Sequence, residues 1–152
     1  MRCLFFLCLL AVCTLSPAAP GPYDEAADSP ADIQAVLAHS RQSKLPVLVV
    51  FGANSCGDCK MLDGAFKAGV AAPLIAKHFH VVKVDVGKFD HNLAIADAYG
   101  IPLKKGIPAV AVLSSEGKPL YVTRGGELAD ARAMGDIGVY DFFAKIVGAP
   151  SR

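Results

Sequence analysis

The sequence predicts an α/β domain built on a central mixed sheet, and three observations carry that expectation. The continuous apolar run Val47-Leu48-Val49-Val50-Phe51 lacks the polar alternation of a half-exposed strand, so it reads as a strand covered on both faces. Stretches with helical spacing lie before and after it and separate it from a second strand-like stretch, and crossovers of that kind join parallel strands. Nearer the C-terminus two short apolar runs flank a tight turn, which adds an antiparallel hairpin to the second half. The chain has 152 residues, 53% of them apolar, enough for one domain with a core of ordinary size.

The N-terminus is a separate matter. Met1-Arg2, the uncharged and mostly apolar run from Cys3 to Leu15 and the small residues Ser16-Pro17-Ala18-Ala19 form the three-part pattern of a secretory signal peptide. The run is too short to span a bilayer. Cleavage after Ala18 places Ser16 and Ala18 at the two small-residue positions. Residues 1–18 thus read as a leader, 19–28, rich in Ala, Pro and Gly, as a tether, and 29–149 as the folded domain. A lipoprotein anchored through Cys13 is the alternative, and Val12 counts against it because a small residue normally precedes such a cysteine.

The elements follow in order. Ser29-Pro30-Ala31-Asp32 supplies an N-cap, a proline at the first helical position and an acid at the third, and Ile33, Val36 and Leu37 give this helix its buried stripe. After the strand at 47–51, Gly52-Ala53-Asn54-Ser55 turns the chain, and Cys56 opens a helix in which Leu62, Ala65 and Phe66 keep helical spacing. Gly64 and Gly69 weaken it, so it ends or bends near Gly69, and a second short helix runs from Pro73 to about His78. Val81–Val86 is the second strand. Asp90 caps a helix that runs to Tyr99 and stops at Gly100, with Pro102 beyond. Ala109–Leu113 and Leu120–Thr123 flank the turn Ser114-Ser115-Glu116-Gly117. Val139, Phe142, Phe143, Ile146 and Val147 form the last amphipathic helix, closed by Gly148 and Pro150.

Charge narrows the function. Fifteen Lys and Arg against fourteen Asp and Glu give a net charge of +1, and loss of Arg2 with the leader removes even that, so nothing pulls the chain onto nucleic acid. No phosphate-binding glycine loop is present, no cofactor is called for, and His39, His78, His80 and His91 lack metal-ligand spacing and read as surface residues. Of five cysteines, Cys3, Cys8 and Cys13 fall in the leader, leaving Cys56 and Cys59. A single pair bound for a disulfide-permissive compartment is better suited to chemistry than to holding a fold together.

That chemistry converges on Cys56-Gly57-Asp58-Cys59. Two residues between cysteines at a helix start bring the sulfurs within bonding reach, and the unpaired N–H groups of the first turn favour a thiolate on the first. Cys56 is the expected nucleophile, and Cys59, one turn further in, the thiol that attacks the mixed disulfide and releases the partner. Half of a zinc site has the same spacing, but no second cysteine pair or suitably spaced histidine pair completes one.

The order of elements, FGANSCGDCK at 51–60 and Gly106-Ile107-Pro108 resemble the thioredoxin-like family over nearly all of the chain beyond the leader. LIAKHFHVVKVDVGKFDHNLAIADAYG, GIPAV, RGGELADAR and GVYDFFAKI resemble more closely its exported bacterial members described as disulfide isomerases. The resemblance implies a thioredoxin-like fold, with a cis peptide before Pro108 that packs against the cysteines and a backbone at Ile107 that pairs with an extended substrate segment. A proline opening a strand needs no ladder N–H, which agrees.

Departures from the family bear on mechanism. The buried acid that assists the resolving cysteine in thioredoxins falls by spacing at Val50, so no such acid is available. Ser55 stands where thioredoxins have a tryptophan, and the chain has no Trp at all, so partner recognition should differ. Asp58 replaces the family's Pro or His. Its charge should oppose a Cys56 thiolate and make the pair less oxidising than a His-containing one, unless it serves only as a favourable acid in the first helical turn. Lys60 either supports the thiolate or is a solvated lysine. Thr123-Arg124-Gly125-Gly126-Glu127 either brings backbone to the active-site face or turns the chain into Leu128–Arg132. The sequence thus leads to an exported, periplasmic thiol-disulfide oxidoreductase acting on proteins with disulfides or thiols and recharged by a membrane-linked redox partner. The competing reading is a non-enzymatic carrier of a soft metal such as copper, or an envelope binding module, using the same pair.

Overall fold

The structure is a computed structural model that describes residues 21–148; the expected leader lies outside the described residues. In chain order, α1 (Ser29–Ser43), β1 (Val47–Gly52), α2 (Gly57–Ala68), α3 (Ala72–His78), β2 (His80–Asp85), α4 (Leu93–Ala98), a 3-10 turn at Leu103–Lys105, β3 (Ala109–Leu113), β4 (Pro119–Val122) and α5 (Ala131–Val147) make up the domain. The strands are ordered β2-β1-β3-β4, with β1 and β2 parallel and both β1–β3 and β3–β4 antiparallel. This is the mixed sheet expected from the sequence, with the apolar run of β1 paired on both sides.

Every residue of β1 is buried because alternate side chains enter two cores. Leu48 and Val50 meet Leu62 of α2, Leu74 and Ile75 of α3 and Phe143 of α5. Val47, Val49 and Phe51 face Ile33 and Leu37 of α1, Val84 of β2 and Ala96 of α4. Phe143 is crossed edge-on by Phe66, Phe79 and Phe142 at centroid distances of 5.0 to 6.3 Å, within the range that favours aromatic pairs. Burial of a side chain of this size contributes about 2–3 kcal/mol, so the α2–α5 face is a firm support for whatever α2 presents at its N-terminus.

Several boundaries differ from the sequence reading. Asp28, not Ser29, caps α1 by accepting from Ala31 N–H at 3.1 Å. Ser29 is instead drawn inside, where its hydroxyl accepts from Asn92 Nδ2 at 3.3 Å. Asp90 does not cap α4, because its carboxylate accepts from Lys88 N–H at 2.9 Å and meets His91 Nδ1 at 2.8 Å within the preceding turn. The helix starts two residues later, after Asn92 in the left-handed region at φ 53°, and ends at Ala98. A break at Gly135, φ 65°, bends α5 and lets Asp136 accept from Val70 N–H at 2.8 Å, at the junction of α2 and α3. The stretch read as part of a tether also enters the core: Tyr23 is only 3% exposed.

Candidate active site

Cys56 and Cys59 are joined in a disulfide, with their Cα atoms 5.2 Å apart. Cys56 is the N-cap of α2, and its Sγ accepts from Cys59 N–H at 3.1 Å, so the helix start feeds a backbone donor directly to the first sulfur. The same sulfur lies 3.6 Å from the carbonyl oxygen of Ile107. The Ile107–Pro108 peptide is cis and Pro108 is buried, with Ile107 half-buried, so both residues singled out in the sequence stand opposite the cysteines. The two sulfurs differ sharply in access, because Cys59 is 0% exposed and Cys56 is partly open.

Asp58 is not left facing the thiol alone. Arg132, the second residue of α5, donates its backbone N–H to Asp58 Oδ1 and its Nη2 to Oδ2, both at 3.0 Å. Arg132 hydrogen bonding holds the Asp58 carboxyl below the usual carboxylate range, and the pair brings a compensating positive charge beside the motif. Gly57 has a role the sequence did not show: a β-carbon there would stand 3.1 Å from the Arg132 guanidinium, so glycine leaves the space this side chain occupies. Lys60 is exposed on the next turn of α2.

Of the two alternatives for the 123–127 segment, the turn is formed. Glu127 accepts from Arg124 N–H at 3.1 Å and Gly125 N–H at 3.0 Å, closing a turn. Gly126, at φ 81°, packs directly on the carbonyl of Lys105, beside the Gly106-Ile107-Pro108 stretch.

Behind Cys59 lies a polar layer that sequence reasoning missed. Asp63, one turn along α2, pairs with Lys83 of β2 and with Lys67 at 2.8 Å. Burial pushes the Asp63 carboxyl up, but Lys67 and Lys83 outweigh it and hold the group below its ordinary range. The ring of Tyr23 lies under Lys83 Nζ at 5.9 Å. The side chain of Asn54 clamps this N-terminal segment onto the loop before the cysteines, accepting from Tyr23 N–H at 2.9 Å and donating to Tyr23 C=O at 2.8 Å. An Asn two residues before a cysteine was the only available signal, and nothing local tells it apart from a turn residue.

Comparison with known proteins fits this geometry. A family model described as thioredoxin-like matches residues 28–115. The chain belongs to the thioredoxin-like family. It is 53% identical to a solved structure described as the disulphide isomerase of Xylella fastidiosa Temecula1, with a TM-score of 0.82 over 86% of this chain and 99% of that one. The C-terminal domain of Neisseria meningitidis DsbD in its reduced form shares the fold at 23% identity and a TM-score of 0.50, over 65% of this chain and 85% of that one. No curated protein sequence matches the chain. The thioredoxin-like fold with its disulfide-bonded Cys56/Cys59 pair is the arrangement a thiol-disulfide oxidoreductase requires. Among the described residues, no helix is long and apolar enough to cross a membrane.

Proposed function

We propose that this thioredoxin-like protein reduces or isomerises disulfides of protein substrates in the cell envelope. The observation that carries the reading is the placement of Cys56, half-open at the start of α2 and opposite the Ile107 carbonyl, with Cys59 sealed behind it. The helix start favours the Cys56 thiolate, which attacks a substrate disulfide; one S–S bond forms to Cys56 and the other substrate sulfur leaves as a thiolate. Cys59 then attacks Cys56, the Cys56–Cys59 bond forms, and the second substrate sulfur leaves. Two electrons have passed to the substrate. Where a substrate thiol attacks the mixed disulfide first, the result is isomerisation instead. Ile107 and Pro108 hold an extended substrate strand across the pair, and Gly57, Asp58 and Lys60 set the readiness of the thiolate.

The name of the Xylella relative supports the isomerase direction. An isomerase keeps its pair reduced in an oxidising compartment, so a membrane-linked donor of electrons belongs to the proposal. So do export through residues 1–18 and a periplasmic location, which N-terminal sequencing of the cell-fractionated protein tests. The equilibrium potential of the pair against glutathione tests the activity. A value near thioredoxin's, about −270 mV, is expected, and one near about −120 mV would make the chain a disulfide donor. Turnover of a protein disulfide must vanish in Cys56→Ser, and retention of stoichiometric metal by the reduced protein in place of turnover would make it a carrier.

A further inference from the structure

Cys59 must lose a proton inside the protein, and the position on β1 that would supply an acid for it holds Val50, packed in the apolar cluster with Leu62 and Phe143. The opposite approach to Cys59 is different. At Gly52, the last residue of β1, a β-carbon would stand within 3.0 Å of both the Tyr23 hydroxyl oxygen and Cys59 Sγ. The absence of a side chain at residue 52 thus opens one gap that the phenol and the buried sulfur share. Tyr23 is held there by the two-way clamp of Asn54 and by the ring contact with Lys83. Opening the disulfide frees Cys59 Sγ as an acceptor on that shared gap, with the phenol hydroxyl on its other side.

We propose that the Tyr23 hydroxyl donates a hydrogen bond to Cys59 Sγ when the Cys56–Cys59 bond is open, stabilising the Cys59 thiolate in place of an acid on β1. The inference rests on the thiol-disulfide reading and names the residue that sets its resolving step. In that step the Cys59 thiol gives its proton to the departing substrate sulfur. The Cys56–Cys59 bond forms, the Cys56–substrate bond breaks, and Tyr23 keeps its own proton throughout. The groups around the phenol favour this role. Burial, reinforced by the charges of Asp63 on α2 and Asp85 on β2, pushes its pKa well above the ordinary tyrosine value, so it stays a donor. Lys83 on β2 and Lys67 on α2 are themselves engaged by Asp63.

The test is the pH profile of Cys59 alkylation in the reduced full-length chain, read site by site by peptide mass spectrometry, in wild type, Tyr23→Phe and Asn54→Ala. Tyr23→Phe keeps the ring and removes only the donor; Asn54→Ala keeps the tyrosine and releases its segment. Both should move the Cys59 profile upward by about one pH unit and leave that of Cys56 in place, and release of a substrate from its mixed disulfide should slow about tenfold at pH 7. An unchanged Cys59 profile in either folded variant, or an equal shift at both cysteines, overturns the proposal. A chain that exchanges no disulfide yet shows the Cys59 shift removes the proposed function and leaves this inference standing.

Discussion

Cys56 and Cys59 are three residues apart in one helix turn and meet opposite surroundings. Cys56 is partly open, its sulfur near the Ile107 carbonyl and the Asp58–Arg132 pair beside it, where water reaches and screens the exposed Arg132 guanidinium. Cys59 is fully covered and borders Gly52, Tyr23 and the Asp63–Lys83 layer, where a single polar atom weighs more because nothing screens it. The difference assigns the work. Under the proposed function the open sulfur answers to the Asp58–Arg132 pair, and the covered one to packing and to the proposed Tyr23 donor.

The largest way to break the comparison is to remove one sulfur at a time. Cys59→Ser should leave attack intact and accumulate covalent adducts between Cys56 and substrate, visible on non-reducing gels, whereas Cys56→Ser should form none. Placing an acid on the covered side comes next. Val50→Asp should cost about 3 kcal/mol in urea unfolding at pH 7. Burial raises the folded pKa of such a carboxyl, so the part of the cost due to ionisation is absent below the ordinary carboxylate pKa, grows as pH rises toward the folded value and levels off above it; a loss that is flat from pH 3 to 8 would contradict this.

Gly52→Ala should then cost about 1–3 kcal/mol by the same measurement, since its β-carbon meets the Tyr23 hydroxyl and Cys59 Sγ together, and no comparable loss is expected at Gly64, where a β-carbon meets nothing within 4 Å. The smallest effect belongs to the open side. Arg132→Ala leaves Asp58 uncompensated, so the Cys56 pKa should rise and the glutathione equilibrium shift by less than about tenfold toward a more reducing pair. In the wild type the Asp58–Arg132 contribution to stability is present above the ordinary carboxylate pKa and fades as pH falls through Asp58's lowered one, a slope that Asp58→Asn should abolish.

Much of the fold was legible because its signals are local. The unbroken apolar run at 47–51 announced a strand buried on both faces, Gly69 and Gly148 marked helix ends, and Gly117, at φ 82°, sits in the hairpin turn where the spacing put it. Asp90 misled because an aspartate offers the same oxygen to a turn as to a helix start, and the backbone N–H of Lys88 came first. Ser29 misled because packing against Asn92 gave its hydroxyl another use, one residue from an equally good cap at Asp28.

The sequence by itself determined the class of fold, the order of its elements and the position of two cysteines at a helix start, because hydrophobic period and helix-end chemistry act between near neighbours. Only the tertiary structure decided what surrounds those cysteines. Asn54 reaches Tyr23 across 31 positions and Arg132 reaches Asp58 across 74. Those contacts exist because the sheet and the α2–α5 packing bring distant backbone together around gaps left at Gly52 and Gly57. A missing side chain records nothing in the sequence about which distant residue will fill its place.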